Sequence, residues 1–278
     1  MDAIDYLVAG HVCRDITPTG YNVGGTAAYS GRVAEMLGCR TAVFTSTARY
    51  EEGLKTLPES IRLYAIPAEK TTTFENVYTP QGRQQTLHAV AGKIIAADYP
   101  SDWPEPAILH LGPIANEVDI ELVRRFPHSV IGLTPQGWMR RWDEMGRVYA
   151  QEWPDAAEIL PLATAVILSE EDLLDSSMLH RYRELSDLLV LTKGYDGCTV
   201  FQGEAVYHIP APQVAEVEPT GAGDIFATAF LVKYQQTDGD YREAGRFANI
   251  VASQSVIHVG LDAKTINIRK HLQEIGEL

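Results

Sequence analysis

The 278-residue sequence contains no run of the roughly 18 uninterrupted apolar residues that a membrane-spanning helix needs. Its opening MDAIDYLVAG lacks the basic flank and long apolar stretch of a secretory signal, so the expected location is the cytoplasm and no membrane partner is expected. Cysteine is scarce. Cys13, Cys39 and Cys198 are odd in number and far apart, which excludes a disulfide framework and a metal knuckle and leaves three reduced thiols. Positive charge is also short, with 23 Lys and Arg against 37 Asp and Glu and a net charge of -14. Phosphate backbones are held by Lys and Arg clusters, so a nucleic-acid surface is excluded and a small-molecule partner is expected. Any phosphate compound must be held by local amides and helix ends against that negative field. Internal repeats, low-complexity tracts and Gly/Ser-rich linkers are missing as well, which leaves one domain over residues 1–278.

What is present is an ordinary globular composition, 45% hydrophobic and 22% charged, in a chain long enough for a sizeable core. Short apolar runs at 4–10, 41–47, 107–111, 130–133, 165–168 and 188–192 read as buried strands. Helical spacing lies between several of them, at 25–38, 118–126, 225–234 and 244–259. This alternation predicts an α/β fold with a mostly parallel sheet covered on both faces. Residues 72–90 differ, because β-branched and aromatic residues flank Thr79-Pro80-Gln81-Gly82, where Pro and Gly suit a type I turn. That segment predicts a hairpin projecting from the main sheet as a flap.

The most informative stretch is Glu216 to Phe230, EVEPTGAGDIFATAF. Pro219 ends an extended segment, and Thr220-Gly221-Ala222-Gly223-Asp224 opens a helix of small residues. The amides of Gly221, Ala222 and Gly223, bare at a positive helix end, make a site for an oxyanion. Asp224 beside it is either a routine partner of the helix dipole or an acid with work to do on a nearby hydroxyl. Two other phosphate motifs fail. No GxxxxGK[ST] is present, since Gly92-Lys93 is followed by Ile94, and the dinucleotide fingerprint lacks its last glycine because Phe226 stands there.

These residues resemble the PfkB or ribokinase-like family of carbohydrate and nucleoside kinases, whose C-terminal signature is a D-T-x-G-A-G-D loop, here matched from Thr220 to Asp224. Gly24-Gly25 before a helix is similar to the family's double-glycine sugar loop, and Asp15 stands where the family places a carboxylate for substrate hydroxyls. The run Leu189 to Gly197, with Thr192, Lys193, Gly194 and Gly197, is similar to its nucleotide loop, and Asn249 to an Asn beside adenine. The resemblance implies a ribokinase-like three-layer sandwich whose β-hairpin lid is formed by segments near 11–24 and 71–92. It also implies ATP as cofactor with Mg2+, and leaves a K+ requirement open. In the family's magnesium motif N-x-x-E this chain has Ser169-Glu170-Glu171-Asp172. Glu171 and Asp172 are then the metal candidates, acting through water, with Ser169 beside the nucleotide; the other reading of Ser169 is a helix N-cap.

Within the family the chain looks most like the inositol 3-kinase branch, from Asp15, Glu69 to Glu75, Gln136 with Arg140, and Pro219 to Asp224. A polyol needs several donors and acceptors, and Asp15, Asn22, Gly24, Gly25, Gln136 and Arg140 are the candidate substrate residues. Asp15, Asn22 and Gln136 each also have a plain alternative as a turn or solvated loop residue. Transfer of the ATP γ-phosphoryl group to a hydroxyl is implied, with Asp224 accepting the proton and the flap excluding water. Trp138, Trp142 and Trp153 keep a nucleoside kinase open, because they could stack on a base. A catalytically silent nucleotide or polyol sensor on the same fold is the third reading. Apolar residues on the flap are candidates for pairing in a homodimer.

Overall fold

The computed structural model describes residues 3–79 and 82–278, so the turn expected at Pro80 and Gln81 lies outside the described residues. The first half of the chain runs β1 (Tyr6–Ala9), β2 (Cys13–Thr17), β3 (Gly20–Gly24), α1 (Thr26–Met36), β4 (Thr41–Ala48), β5 (Arg62–Ala68), β6 (Thr73–Thr79), β7 (Gly82–Ala89), β8 (Ile108–Leu111), α2 (Leu122–Arg125) and β9 (Val130–Leu133). The second half adds β10 (Arg140–Trp142), β11 (Val148–Ala150), α3 (Ala156–Ile159), β12 (Ala165–Ser169), α4 (Ser176–Leu185), β13 (Leu188–Thr192), β14 (Cys198–Gln202), β15 (Ala205–Ile209), α5 (Ala222–Gln236), α6 (Tyr241–Ser255) and α7 (Leu261–Glu274).

Nine strands form the central sheet in the order β15-β14-β13-β12-β9-β8-β1-β4-β5. From β13 to β5 all neighbours are parallel, and β14 and β15 add an antiparallel edge. Successive residues of a strand face opposite sides, and here they enter two separate cores. Tyr6 and Val8 of β1 join Leu188 and Val190 of β13 beneath α1, α5, α6 and α7. Leu7 and Ala9 join Leu189 and Leu191 on the other side, against α2, α3 and α4. This is the three-layer α/β sandwich expected. Ile225 to Val232 of α5 are all buried, so this helix is apolar on every side and runs through the core beneath its polar first turn.

The helix expected over 118–126 is reduced to the four residues of α2. The amide of Asp119 donates to the Ile94 carbonyl and that of Ile94 to the Glu117 carbonyl, which holds 117–119 extended before any helix can start. The 244–259 helix instead spans Tyr241–Ser255, because Asp240 caps it by accepting from the amides of Arg242 and Glu243.

The flap segment, β6 and β7, is antiparallel. It does not stand alone: β2 pairs with β3 in a second hairpin, and parallel pairing of β2 with β6 joins the two into one four-stranded sheet, β3-β2-β6-β7. Its outward residues Ile16 and Tyr21 are exposed, while Cys13, Phe74 and Leu87 form a small core of their own with Ile114 and Ala115.

Candidate active site

A cavity of about 630 Å³ lies at the carboxyl ends of β12 and β13, between the small sheet and the first turn of α5. Crevices in this position are the usual binding sites of open α/β sheets.

That helix end begins at Gly221, whose φ of +79° is left-handed and whose missing Cβ would run into the ring of Tyr29. Glycine is therefore required twice over. The Ala222 amide donates to the Pro219 carbonyl at 3.0 Å, so of the three amides expected to cradle an anion this one is already engaged. Those of Gly221 and Gly223 have no backbone partner among the described residues, as the first turn of a helix dictates. Asp224 stands in the same turn. Thr26, the first residue of α1 after the double glycine, donates its hydroxyl to Asp224 Oδ1 at 2.7 Å. Burial pushes the Asp224 carboxyl up to about 6, against the lowering effects of Thr26 and of the Arg140 charge.

Asp15 faces this group from β2. Its Oδ1 accepts from Asn76 Nδ2 at 3.1 Å, and Asn76 Oδ1 accepts from Gln85 Nε2 at 2.9 Å, a polar line that crosses β2, β6 and β7. A Cβ at Gly24 would collide with the Asp15 carboxylate, so the first glycine of the pair makes room for it. Gly25 has φ +89° and lies against the His11 carbonyl, where no side chain fits. Gln136 and Arg140 also line the cavity, whereas Asn22 pairs with Asp15 through the backbone alone and is exposed outside it.

The donor end lies across the cavity. Ser169 accepts from the Glu171 amide at 3.2 Å and Asp172 Oδ2 from the Ser169 amide at 3.1 Å, a reciprocal capping box around a short 3-10 turn. The N-cap reading of Ser169 is thus correct, and Ser169 lines the cavity as well. Asp172 Oδ1 accepts from Gln136 Nε2 at 2.9 Å, which ties the acceptor side to the donor side. Glu171 is exposed on the cavity wall, with no side-chain partner among the described residues. Thr192, Gly194 and Gly197 line the same end, while Lys193 does not; its amide donates to the Gly197 carbonyl and its carbonyl accepts from the Asp196 amide.

Asn249 lines the cavity and is buried, and its Nδ2 donates to the Ile209 carbonyl at 2.9 Å, so it braces the 209–212 strand exit against α6 where both meet the cavity. The tryptophans provide no platform for a base: Trp138 and Trp153 stack on each other at 4.7 Å in the core behind the sheet, and Trp142 lies on β10 outside the cavity. Aromatic faces at the acceptor end come instead from Tyr29 and Phe74.

Sequence reasoning missed Lys264, Asn76 and Gln85. The last two carry a faint signal, since alternation along a hairpin puts Asn76 and Gln85 on one face as direct partners. Lys264 in α7 carries none.

Residues 144–267 match the family described as pfkB family carbohydrate kinase. Over those residues, somewhat under half of the chain, it resembles that family. It is 26% identical to a cytidine kinase of Thermococcus kodakarensis over 84% of this chain and 89% of that one. It is 25% identical to an inositol 3-kinase of Zea mays over 99% of this chain and 78% of that one. Among solved structures it is similar to a pyrophosphate-dependent kinase in the ribokinase family, complexed with a pyrophosphate analog and myo-inositol. The TM-score is 0.80 at 20% identity, covering 95% of this chain and 99% of that one, a likeness that shows the ribokinase fold. These likenesses make the chain a kinase of the sugar or nucleoside type. Among its described residues no helix is long and apolar enough to cross a membrane.

Proposed function

We propose that this kinase transfers the γ-phosphoryl group of ATP to a hydroxyl of a cyclic polyol, with myo-inositol as the favoured acceptor. The observation that carries the reading is Asp224. Its carboxyl titrates near 6, it sits beside free helix-end amides, and it faces Asp15 across one cavity. Thr26 holds Oδ1, which leaves Oδ2 to take the acceptor's proton. As the acceptor oxygen bonds to the γ-phosphorus, the bond to the β-phosphate oxygen breaks, the proton passes to Asp224, and ADP leaves with the phosphate monoester. Such transition states are loose, so positioning and charge stabilisation dominate, and the Gly221 and Gly223 amides supply the latter.

Asp15 grips neighbouring hydroxyls, and its line to Asn76 and Gln85 fixes the carboxylate's orientation. Gln136 and Arg140 supply further donors. For the nucleotide, Ala211, Pro212, Val214, Ala252 and Val256 give the cavity an apolar lining suited to a base. Mg2+ is bound through one or two carboxylates together with substrate phosphates and keeps several waters. Glu171 and Asp172 fit that requirement and would hold it; when bound it supplies neutralisation of phosphate charge. Closure of the small sheet over the acceptor would keep water from the γ-phosphate.

A second reading, a nucleoside acceptor, is favoured by the Tyr29 and Phe74 faces at the acceptor end and by the likeness to the cytidine kinase. The test is formation of the phosphorylated acceptor from myo-inositol, ribose, fructose, adenosine and cytidine, run with ATP, which leaves ADP, and separately with pyrophosphate, which leaves orthophosphate. Highest kcat/KM for myo-inositol with ATP supports the proposal; a preference for cytidine or adenosine replaces it with the second reading.

A further inference from the structure

Lys264, in the first turn of α7, is fully buried. A buried ammonium needs an acceptor for each proton, and it finds all of them on the segment leading into the phosphate loop. Nζ donates to the Glu218 carbonyl at 2.8 Å and to the Thr220 carbonyl at 2.7 Å, and lies 3.3 Å from Glu218 Oε2. The same Oε2 accepts from the Gly260 amide at 2.9 Å, which pins the start of α7 to the loop. Pro219 has no amide to contribute, so nothing on the loop itself could gather these oxygens. With the Thr220 carbonyl turned down to the ammonium, the Gly221 amide of the same trans peptide plane points the opposite way, away from Lys264.

Two backbone carbonyls and a carboxylate converging on one point are an oxygen set of the kind that takes a hard cation. We propose that the Lys264 ammonium is the built-in cation of the phosphate loop, standing in the place of a monovalent metal ion, so that this kinase works without potassium. The sequence left a potassium requirement open, and the occupied oxygen set answers it. A fixed positive charge beneath the loop also offsets the net charge of -14 where a polyphosphate must approach. Burial lowers the ammonium's pKa, and the Glu218 carboxylate opposes that shift. Lys264 touches no substrate and acts as a positioning residue. The proposal rests on reading Gly221 to Asp224 as the phosphate cradle.

The test compares ATP binding by calorimetry, alongside phosphoryl transfer, in potassium chloride and in tetramethylammonium chloride at equal ionic strength. The wild type is expected to bind ATP equally in both, within about twofold, whereas Lys264→Ala binds at least about tenfold more weakly in tetramethylammonium and recovers with potassium or ammonium. Lys264→Met, which fills the space, should lose affinity without recovery. Potassium-dependent binding by the wild type, or wild-type affinity of Lys264→Ala without potassium, overturns the proposal. If the variants fail to fold, thermal unfolding of the wild type decides, since a rise in midpoint specific to potassium means that a metal ion occupies the set. Failure of the wild type to bind ATP at all would instead sink the phosphate-cradle reading on which this one rests.

Discussion

The Thr26 hydroxyl donates to Asp224 Oδ1 across 2.7 Å, joining the first turns of two helices whose residues are 198 positions apart. One oxygen of the carboxylate is thereby fixed and the other left facing the cavity. Asp224→Asn keeps this bond and the shape of the site but removes the proton acceptor. Turnover should fall at least about 100-fold while ATP affinity stays within a few-fold. Steady-state kinetics with a direct binding measurement check this, and retained turnover would remove Asp224 from its role.

The same carboxyl should set the lower limb of the pH profile. Burial raises it from 3.8 to about 6, so turnover should rise with pH through that value as the base form appears. Its effect on folding has the opposite sense. Between these two pKa values the native state holds a proton that the unfolded chain has released, so stability falls as pH rises and stays lower above 6. Asp224→Asn should therefore stabilise the fold at neutral pH, by at most about 3 kcal/mol, and by nothing near pH 3. Denaturant midpoints at the two pH values measure the difference; equal midpoints at neutral pH would mean that the carboxyl is not desolvated.

How legible this arrangement is in the sequence depends on the range of the interaction. Strands such as Val130–Leu133 and Leu188–Thr192 were readable residue for residue, because unbroken apolar runs have few other uses. The loop from Gly221 to Asp224 was readable because positive φ and free amides demand glycine locally. The β2–β3 hairpin was expected only through the family resemblance, as part of a lid near 11–24, since its five-residue strands mix exposed and buried positions and show no clear alternation. Lys264 and Thr26 were invisible as partners of the loop because a lysine or threonine in a helix usually faces water, and only the tertiary fold brings these two under and beside Gly221. Asn249 was placed only through the family resemblance, because a helical Asn is ordinarily exposed, while here two carbonyls at the β15 exit draw it inward beside the cavity.

Gly24 and Asp15 yield a prediction that separates acceptor from donor. A methyl group at residue 24 would displace the Asp15 carboxylate without reaching the nucleotide end. Gly24→Ala should raise KM for the polyol and leave KM for ATP unchanged. Asp15→Ala should reduce polyol kcat/KM by roughly 100-fold, the scale of a lost charged hydrogen bond together with misorientation. Equal effects on both substrates would show instead that the small sheet as a whole had been disturbed.

The metal assignment is checked by removal. Excess EDTA should abolish turnover, and Glu171→Gln should raise the Mg2+ concentration needed for half-maximal rate while acceptor binding is unaffected, because Glu171 has no side-chain partner among the described residues. Gln136→Ala should affect both substrates, since Gln136 Nε2 orients Asp172 at 2.9 Å from the acceptor side. Turnover that persists in EDTA removes Glu171 and Asp172 from metal binding.

Gly221 combines two constraints that a double-mutant cycle can separate. Its φ of +79° costs an alanine roughly 1–2 kcal/mol wherever the Cβ points, and the Cβ would in addition meet the Tyr29 ring. Tyr29 is buried beneath the loop and cannot swing into solvent without leaving the core it shares with Val33 and Phe230. Gly221→Ala should therefore be more destabilising in the wild-type background than in Tyr29→Ala, where only the backbone strain remains. Activity should not follow stability. In both backgrounds kcat/KM should stay at least about tenfold low, because the strained loop turns its amides away from the transferring oxygens whether or not the ring is present. Additive stability changes would show that the ring yields freely. Recovery of kcat/KM in the double variant would show that the ring contact, and not the left-handed backbone, sets the aim of the loop.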